Sequence, residues 1–317
     1  MPRALADLPP EKQAELVHIR EIVQEELQAK IASSRKARTK RFRILDLIHY
    51  TPPCPSRPKH GDKEDALLLI IVSHRALADM SAFWEEVEDR LIRDPVGSQH
   101  VHCLIHSASD VRLSSNEVSS LLAEVLRNGV RVTNEPNAEN PWRLSPKTLA
   151  RGWAETVPLH RAREIYRIEK LAAEQYRLIG DQGIDAGLQW HANSAFQLNQ
   201  AAECAYRMYF LTISGYLPAT HQLRRMRHLA RTLDNRLEEA WNSQASEDEH
   251  YFDLLCRAYI EARYSLTYRT SEQALRWQAD RIAKLIEIAD TLCLERLSEL
   301  GADDPVPEVC QPPQTLV

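Results

Sequence analysis

The second half of the chain restricts the fold most. From about Arg161 to Leu300 every segment is helix-forming, with few prolines or glycines to interrupt it. Ala192 to Ser214 places Leu198, Ala202, Ala205 and Tyr209 on one face of a helix, and Asn199, Glu203 and Arg207 on an adjacent polar stripe. Gly215 supplies a stop, and Leu217 to His221 opens the next helix. Tyr251 to Arg263 and Ser271 to Leu300 supply two more. Four or five helices of this length pack as a bundle.

The first half mixes periods. Glu11 to Ala29 is amphipathic, with Leu16, Ile19, Val23 and Leu27 at helical spacing, and a basic connector from Lys30 to Arg43 follows. Ile44 to Tyr50 reads as a strand. Ala66 to Val72 is a continuous apolar run, the pattern of a strand covered on both faces. Val101, Cys103 and Ile105 alternate with polar residues in a third strand, and Val130 to Thr133 makes a short fourth. Helices over Met80 to Ile92 and Ser115 to Arg127 lie between them, the latter stopped by Asn128-Gly129. Residues 134 to 160 are rich in turn formers. The expected architecture is α+β in two domains. A small mixed α/β domain spans 1–135, a linker 136–160, an all-α bundle 161–300 and a flexible tail 301–317.

Composition excludes several classes. The 9 glycines and 17 prolines are too few for a collagen-like or low-complexity chain, and a net charge of −5 is no polycation for nucleic acid. Six scattered cysteines with no CxxC read as free thiols of a cytoplasmic protein, not as disulfides or a zinc site. The N-terminus lacks the apolar region of a signal peptide, and no run approaches the ~20 residues of a membrane-spanning helix.

Three stretches of the second half, Ala195-Phe-Gln-Leu-Asn-Gln-Ala-Ala-Glu203, Gly215-Tyr-Leu-Pro-Ala-Thr-His-Gln-Leu223 and Ala258-Tyr-Ile-Glu-Ala-Arg-Tyr-Ser-Leu-Thr-Tyr268, resemble in order and spacing the motifs of the HEPN family of helical domains. The resemblance implies an RNA- or nucleotide-binding protein of the toxin or stress-defence kind, working as a homodimer through the bundle. In many HEPN domains an R-x4–6-H pair forms a metal-independent ribonuclease site, with the Arg holding the scissile phosphate. Here that spacing runs from Arg263 to Tyr268, and a tyrosine is a poor base near neutrality. Arg263 and Tyr268 are the catalytic candidates, and Asn199, Glu203 and Arg263 the ligand-binding ones. Asn199 stands where close relatives often carry His. No metal or cofactor is implied, and a cognate protein partner is an open expectation.

HEPN domains are often fused to a minimal nucleotidyltransferase, and Leu8 to Gln13, the Phe83-Trp84 helix and Ile105 to Val111 resemble such fusions. The transfer chemistry does not survive. Ile48-His49 stands where that family has Gly-Ser, Pro52-Pro53 where its Arg follows, and its aspartate pair falls on Asp65 and Leu67. One carboxylate cannot hold the Mg²⁺ of a two-metal site. The first half is therefore expected to be a catalytically inert, nucleotidyltransferase-like domain.

The same residues carry plainer readings. Arg263 either holds phosphate or pairs with Glu203 or Glu261 inside the bundle. His221 either supplies an imidazole or caps a helix. Arg224, Arg225, Arg227, Arg231 and Arg236 are either a solvated face or a contact for RNA backbone. His100, His102 and His106 share one face of a strand, read as a solvated edge rather than a zinc site. The alternative for the whole protein is a non-catalytic dimeric scaffold that binds a partner protein.

Overall fold

The computed structural model describes residues 2–53, 64–97, 99–113, 120–133, 159–218, 220–241 and 246–301. The tail from residue 302 and residues 136–158 of the expected linker lie outside these; Leu159 and His160 already belong to a helix. Contacts divide the chain into two compact units. The first comprises Met1–Thr156 with Pro218–Thr220 and His228–Asn235; the second comprises Val157–Leu217, His221–Arg227 and Arg236–Val317.

The first unit is built on a five-stranded mixed sheet. Its strands are β1 (Arg3–Ala4), β2 (Ile44–Tyr50), β3 (Glu64–Val72), β4 (Gln99–Ser107) and β5 (Val130–Arg131), in the order β1-β5-β2-β3-β4. β3 pairs with β4 in parallel and with β2 antiparallel. The continuous apolar run of β3 has its physical explanation here, since Ala66 to Val72 are wholly buried. Leu68, Ile70 and Val72 share one core cluster with Leu16, Ile19, Val23 and Leu27 of α1 (Pro10–Ser33) and with Trp84, Val87 and Leu91 of α3 (Ser81–Arg93). The intervening Leu67, Leu69 and Ile71 are equally buried. Short helices α2 (Arg75–Ala78) and α4 (Ala108–Leu113) follow β3 and β4. α5 (Ser120–Asn128) runs into Gly129, where a Cβ would stand 2.6 Å from the Ile48 side chain and 2.5 Å from the Val125 carbonyl oxygen. No larger residue fits that turn.

The second unit is helical. α7 (His191–Ser214) lies at its centre, with α6 (Leu159–Asp185), α9 (Ser246–Tyr264) and α10 (Glu272–Glu299) packed on it. Fifteen of its residues are buried, among them Leu198, Ala202, Ala205 and Tyr209. Small residues let α6 approach. A Cβ on Gly183 would lie 2.3 Å from the Ser194 hydroxyl, and one on Gly180 2.9 Å from Leu198. Gly215 ends α7 in the left-handed conformation, φ 62°, donating its N–H to the Leu211 carbonyl. Ser271 caps α10, its hydroxyl accepting the Ala274 N–H at 3.1 Å. α8 (Leu223–Leu233) carries the arginine-rich stretch; its residues up to Arg227 belong to this unit and those from His228 to the first. No described helix is long and apolar enough to cross a membrane.

Candidate functional site

One stripe of α7, one stripe of α9 and the turn before α8 meet within the helical unit. On α7, Phe196, Asn199 and Glu203 follow one another at spacings of three and four, so they share a face. Asn199 is completely buried and donates its amide to the Leu255 carbonyl at 3.0 Å, clamping α7 to α9. One turn further along, Glu203 is buried as well. Its Oε1 accepts a 2.8 Å hydrogen bond from Nδ1 of His221, and its Oε2 has no hydrogen-bond partner among the described residues.

The His221 side chain is 60% exposed and lies flat on Tyr259, with ring centroids 5.4 Å apart and 9° between planes. With Nδ1 given to Glu203, Nε2 is the ring nitrogen left for an outside partner. Arg263 follows Tyr259 by one helical turn, so its guanidinium reaches the same ring. Its central carbon lies 4.9 Å from the Tyr259 centroid, 4.9 Å from Phe196 and 5.0 Å from Tyr264. Its Nε donates to the Tyr259 carbonyl at 3.0 Å. Arg263 is exposed, and among the described residues no acidic side chain pairs with it. The arrangement can hold an anion at Arg263 against an aromatic wall, and the ring of that wall, Tyr259, also stacks on an imidazole anchored by a carboxylate.

The expected pairings of Arg263 do not form. Glu203 is taken by His221, and Glu261 pairs with Arg257 at 3.3 Å. His221, expected to supply an imidazole or cap a helix, gives its Nδ1 to Glu203. The structure brings Arg263, Glu203 and Asn199 into one region but leaves Tyr268 apart. α9 ends at Tyr264, and the chain turns inward before residue 268. The Tyr268 hydroxyl is buried and donates to the Leu254 carbonyl at 3.1 Å, and burial pushes its pKa up. A neutral, internally bonded phenol is no proton acceptor for a surface ligand.

Sequence reasoning did not single out Phe196, Tyr259 and Tyr264, which frame the guanidinium. A signal was present in the i, i+4 spacing of Tyr259 and Arg263, which puts ring and cation on one face of α9.

The other basic cluster is a surface face whose charges are largely answered by acids. Arg224 pairs with Glu249 and Asp253, Arg227 with Glu238, Arg231 with Asp65 and Arg236 with Glu295. Arg227 also stacks over Phe252 at 4.8 Å. Their acidic partners stand far off in sequence, which hid them.

β4 is the edge strand of the sheet, as expected of the histidine-bearing strand, but one of its histidines is not solvated. His102 is buried, with Nδ1 3.2 Å from Glu88 and Nε2 3.5 Å from Asp65. Burial alone would lower its pKa, but the two carboxylates raise it above the ordinary histidine value. Asp65 accepts a two-pronged contact from Arg231 at 2.9 and 3.0 Å. Among the described residues, no three His, Cys, Asp or Glu side chains are arranged to hold a metal ion. Cys204, Cys256 and Cys293 are free thiols, and burial pushes Cys204 and Cys256 up to about 12. Cys54 and Cys310 lie outside the described residues.

A helical unit of this kind, with a polar central helix and an exposed basic group at the end of a partner helix, fits the class the motifs suggested. Residues 185–292 match the family model of the HEPN domain, a span that includes Asn199, Glu203, His221, Arg263 and Tyr268. The second half of the chain thus carries a HEPN domain. No curated protein matches the chain.

Proposed function

We propose that the HEPN domain binds the phosphate of RNA or of a nucleotide at Arg263, in the manner of HEPN proteins of the toxin or stress-defence kind. The exposure of Arg263 on an aromatic frame, without an acidic partner among the described residues, carries this reading. A guanidinium presents a planar fork that matches two phosphate oxygens. Tyr264, 75% exposed beside it, offers a face on which a base stacks. HEPN domains commonly dimerise, and the exposed Ile260, Tyr264 and Leu266 suit a second copy packing near Arg263. The first unit is read as nucleotidyltransferase-like without the transfer reaction. In support, position 67 is Leu67, and the one carboxylate at that site, Asp65, is engaged by Arg231.

Fluorescence anisotropy with a labelled single-stranded RNA tests the reading. Arg263→Ala weakens binding by about tenfold to a hundredfold, the worth of a charge-assisted hydrogen bond, and Arg263→Lys restores only part of it. Equal affinity of wild type and Arg263→Ala would overturn it. The apolar exposure of Ile260 and Leu266 also suits a dimeric scaffold that binds a protein partner. That reading gains if RNA fails to bind while light scattering shows a dimer that Leu266→Asp dissociates.

A further inference from the structure

We infer that the basic stretch from Lys30 to Arg43 is a second docking surface, one that holds the phosphate backbone of a nucleic-acid duplex. It lies in the first unit and does not depend on the Arg263 reading. The whole chain carries a net charge of −5, yet this stretch holds seven Lys and Arg and no Asp or Glu. The nearest acids on either side in sequence are already answered. Glu26 receives Arg90 at 2.6 Å, and the buried Asp46 receives Arg131 at 2.8 Å. Such a concentration of one sign repels itself and draws anions to it.

The stretch is a mounted surface rather than a loose tail. Thr39–Arg41 forms one 3₁₀ turn soon after the end of α1. Thr39 and Phe42, three residues apart, share its inward side, since both are buried and Phe42 belongs to the core cluster of α1 and β3. The same spacing aligns Arg38 with Arg41 on another side, about 6 Å apart along the turn. Lys40 reaches back to the end of α1 and donates Nζ to the Ile31 carbonyl at 2.6 Å. Arg43 gives its backbone N–H to the Ser73 hydroxyl and accepts the Ser73 N–H on its carbonyl, both at 3.0 Å, which ties the stretch to the end of β3. Arg35, Lys36, Arg38 and Arg41 are exposed, and among the described residues their charged heads have neither an acidic partner nor a hydrogen bond.

The chemistry of the surface selects the partner. From Ser34 to Arg43 the one aromatic residue, Phe42, is buried, and the one exposed apolar side chain is the methyl of Ala37. A protein partner calls for an aromatic or aliphatic anchor, and a bilayer for an apolar side chain to insert. A single strand calls for a ring on which its bases stack. The stretch offers none of these. It offers positive charge at fixed positions, and three of the four open heads are guanidinium forks that match phosphate oxygens. A duplex turns its phosphates outward and can be held by them without any base contact. RNA and DNA duplexes share that chemistry.

The test is fluorescence anisotropy of the full-length protein with labelled double-stranded RNA and double-stranded DNA of one sequence. Both should bind with affinities within a few-fold of each other. Raising the salt from about 50 to about 200 mM should weaken binding by about a hundredfold, the effect of counterions released by four phosphate contacts. Replacing all four residues together (Arg35→Ala, Lys36→Ala, Arg38→Ala, Arg41→Ala) should lower affinity by about thirtyfold at the lower salt and flatten the salt dependence. The urea midpoint of that variant should match wild type, because none of the four heads is bonded. Arg35→Lys, Arg38→Lys and Arg41→Lys together should keep most of the affinity, and Arg263→Ala should keep all of it. The inference is overturned if the fourfold alanine variant binds the duplexes as wild type does, if Arg263→Ala abolishes duplex binding, or if wild type binds neither duplex. Tighter binding to phosphatidylserine vesicles than to either duplex would also overturn it and make the surface a membrane contact. None of these outcomes removes the Arg263 reading, which is decided on single-stranded RNA.

Discussion

Each unit of this protein sets a histidine against a carboxylate, and the two pairs differ in where burial stops. In the first unit His102 is buried with its partners; Glu88 lies at one nitrogen and Asp65 at the other. In the second unit burial ends at Glu203, and the His221 ring stands in solvent, bonded to Glu203 through Nδ1. The same two chemical groups thus make a buried cross-brace in one place and a solvent-facing pair in the other. Arginines divide in the same way. Arg231 is held by Asp65, whereas Arg263 has rings around it and no acid among the described residues. Charge that is answered inside the fold serves stability, and charge left unanswered at an aromatic surface is open to a ligand of the kind proposed above.

The sharpest way to break this contrast is to remove a carboxylate from the closed pair. Glu88 accepts both from the His102 ring and, at 3.1 Å, from the Cys103 backbone N–H. Glu88→Ala strands both donors in the interior and should cost about 3 kcal/mol, read as a lower midpoint in urea unfolding. Arg263→Ala, by contrast, should move the same midpoint by no more than about 0.5 kcal/mol. Similar losses in the two variants would erase the distinction between brace and site.

A smaller effect is expected at Asp65. Burial raises its carboxyl, but hydrogen bonds from His102 and Arg231, with the Arg231 charge, outweigh it and hold the pKa down to about 2. The folded state therefore binds fewer protons than the unfolded chain between about pH 4 and pH 2. The stabilisation is complete above that window and fades as the pH falls through it, amounting to about 2 kcal/mol at neutrality. Asp65→Asn should remove that amount at pH 7 and flatten the acid limb of the stability curve. A curve that keeps its acid limb in Asp65→Asn would assign the limb to other carboxylates.

How much of this was legible in the sequence follows the range of the interactions. The Ala66–Val72 run announced a strand buried on both faces because local composition alone sets that pattern. The end of α7 at Gly215 was readable because only glycine takes φ 62° without strain. The stripe Asn199–Glu203 was visible as a helical face. Pairings were not visible. Glu203 finds His221 rather than Arg263, Arg224 finds Glu249 and Asp253, and His102 finds Glu88, each across a turn or between elements. Such partners depend on how helices rotate against one another, and spacing along one chain does not encode that.

Tyr268 gives the smallest and most diagnostic effect. The spacing from Arg263 made it the counterpart of a family histidine, but that spacing is helical only as far as Tyr264. Beyond it the chain turns, and the phenol reaches back fourteen residues to the Leu254 carbonyl. Tyr268→Phe keeps the ring in its buried place and removes one hydrogen bond, leaving that carbonyl short of an acceptor's partner. The expected cost is about 1 kcal/mol in unfolding free energy, with the proposed RNA binding at the wild-type level. The reverse result, full stability with binding lost, would mean that the hydroxyl acts on the ligand.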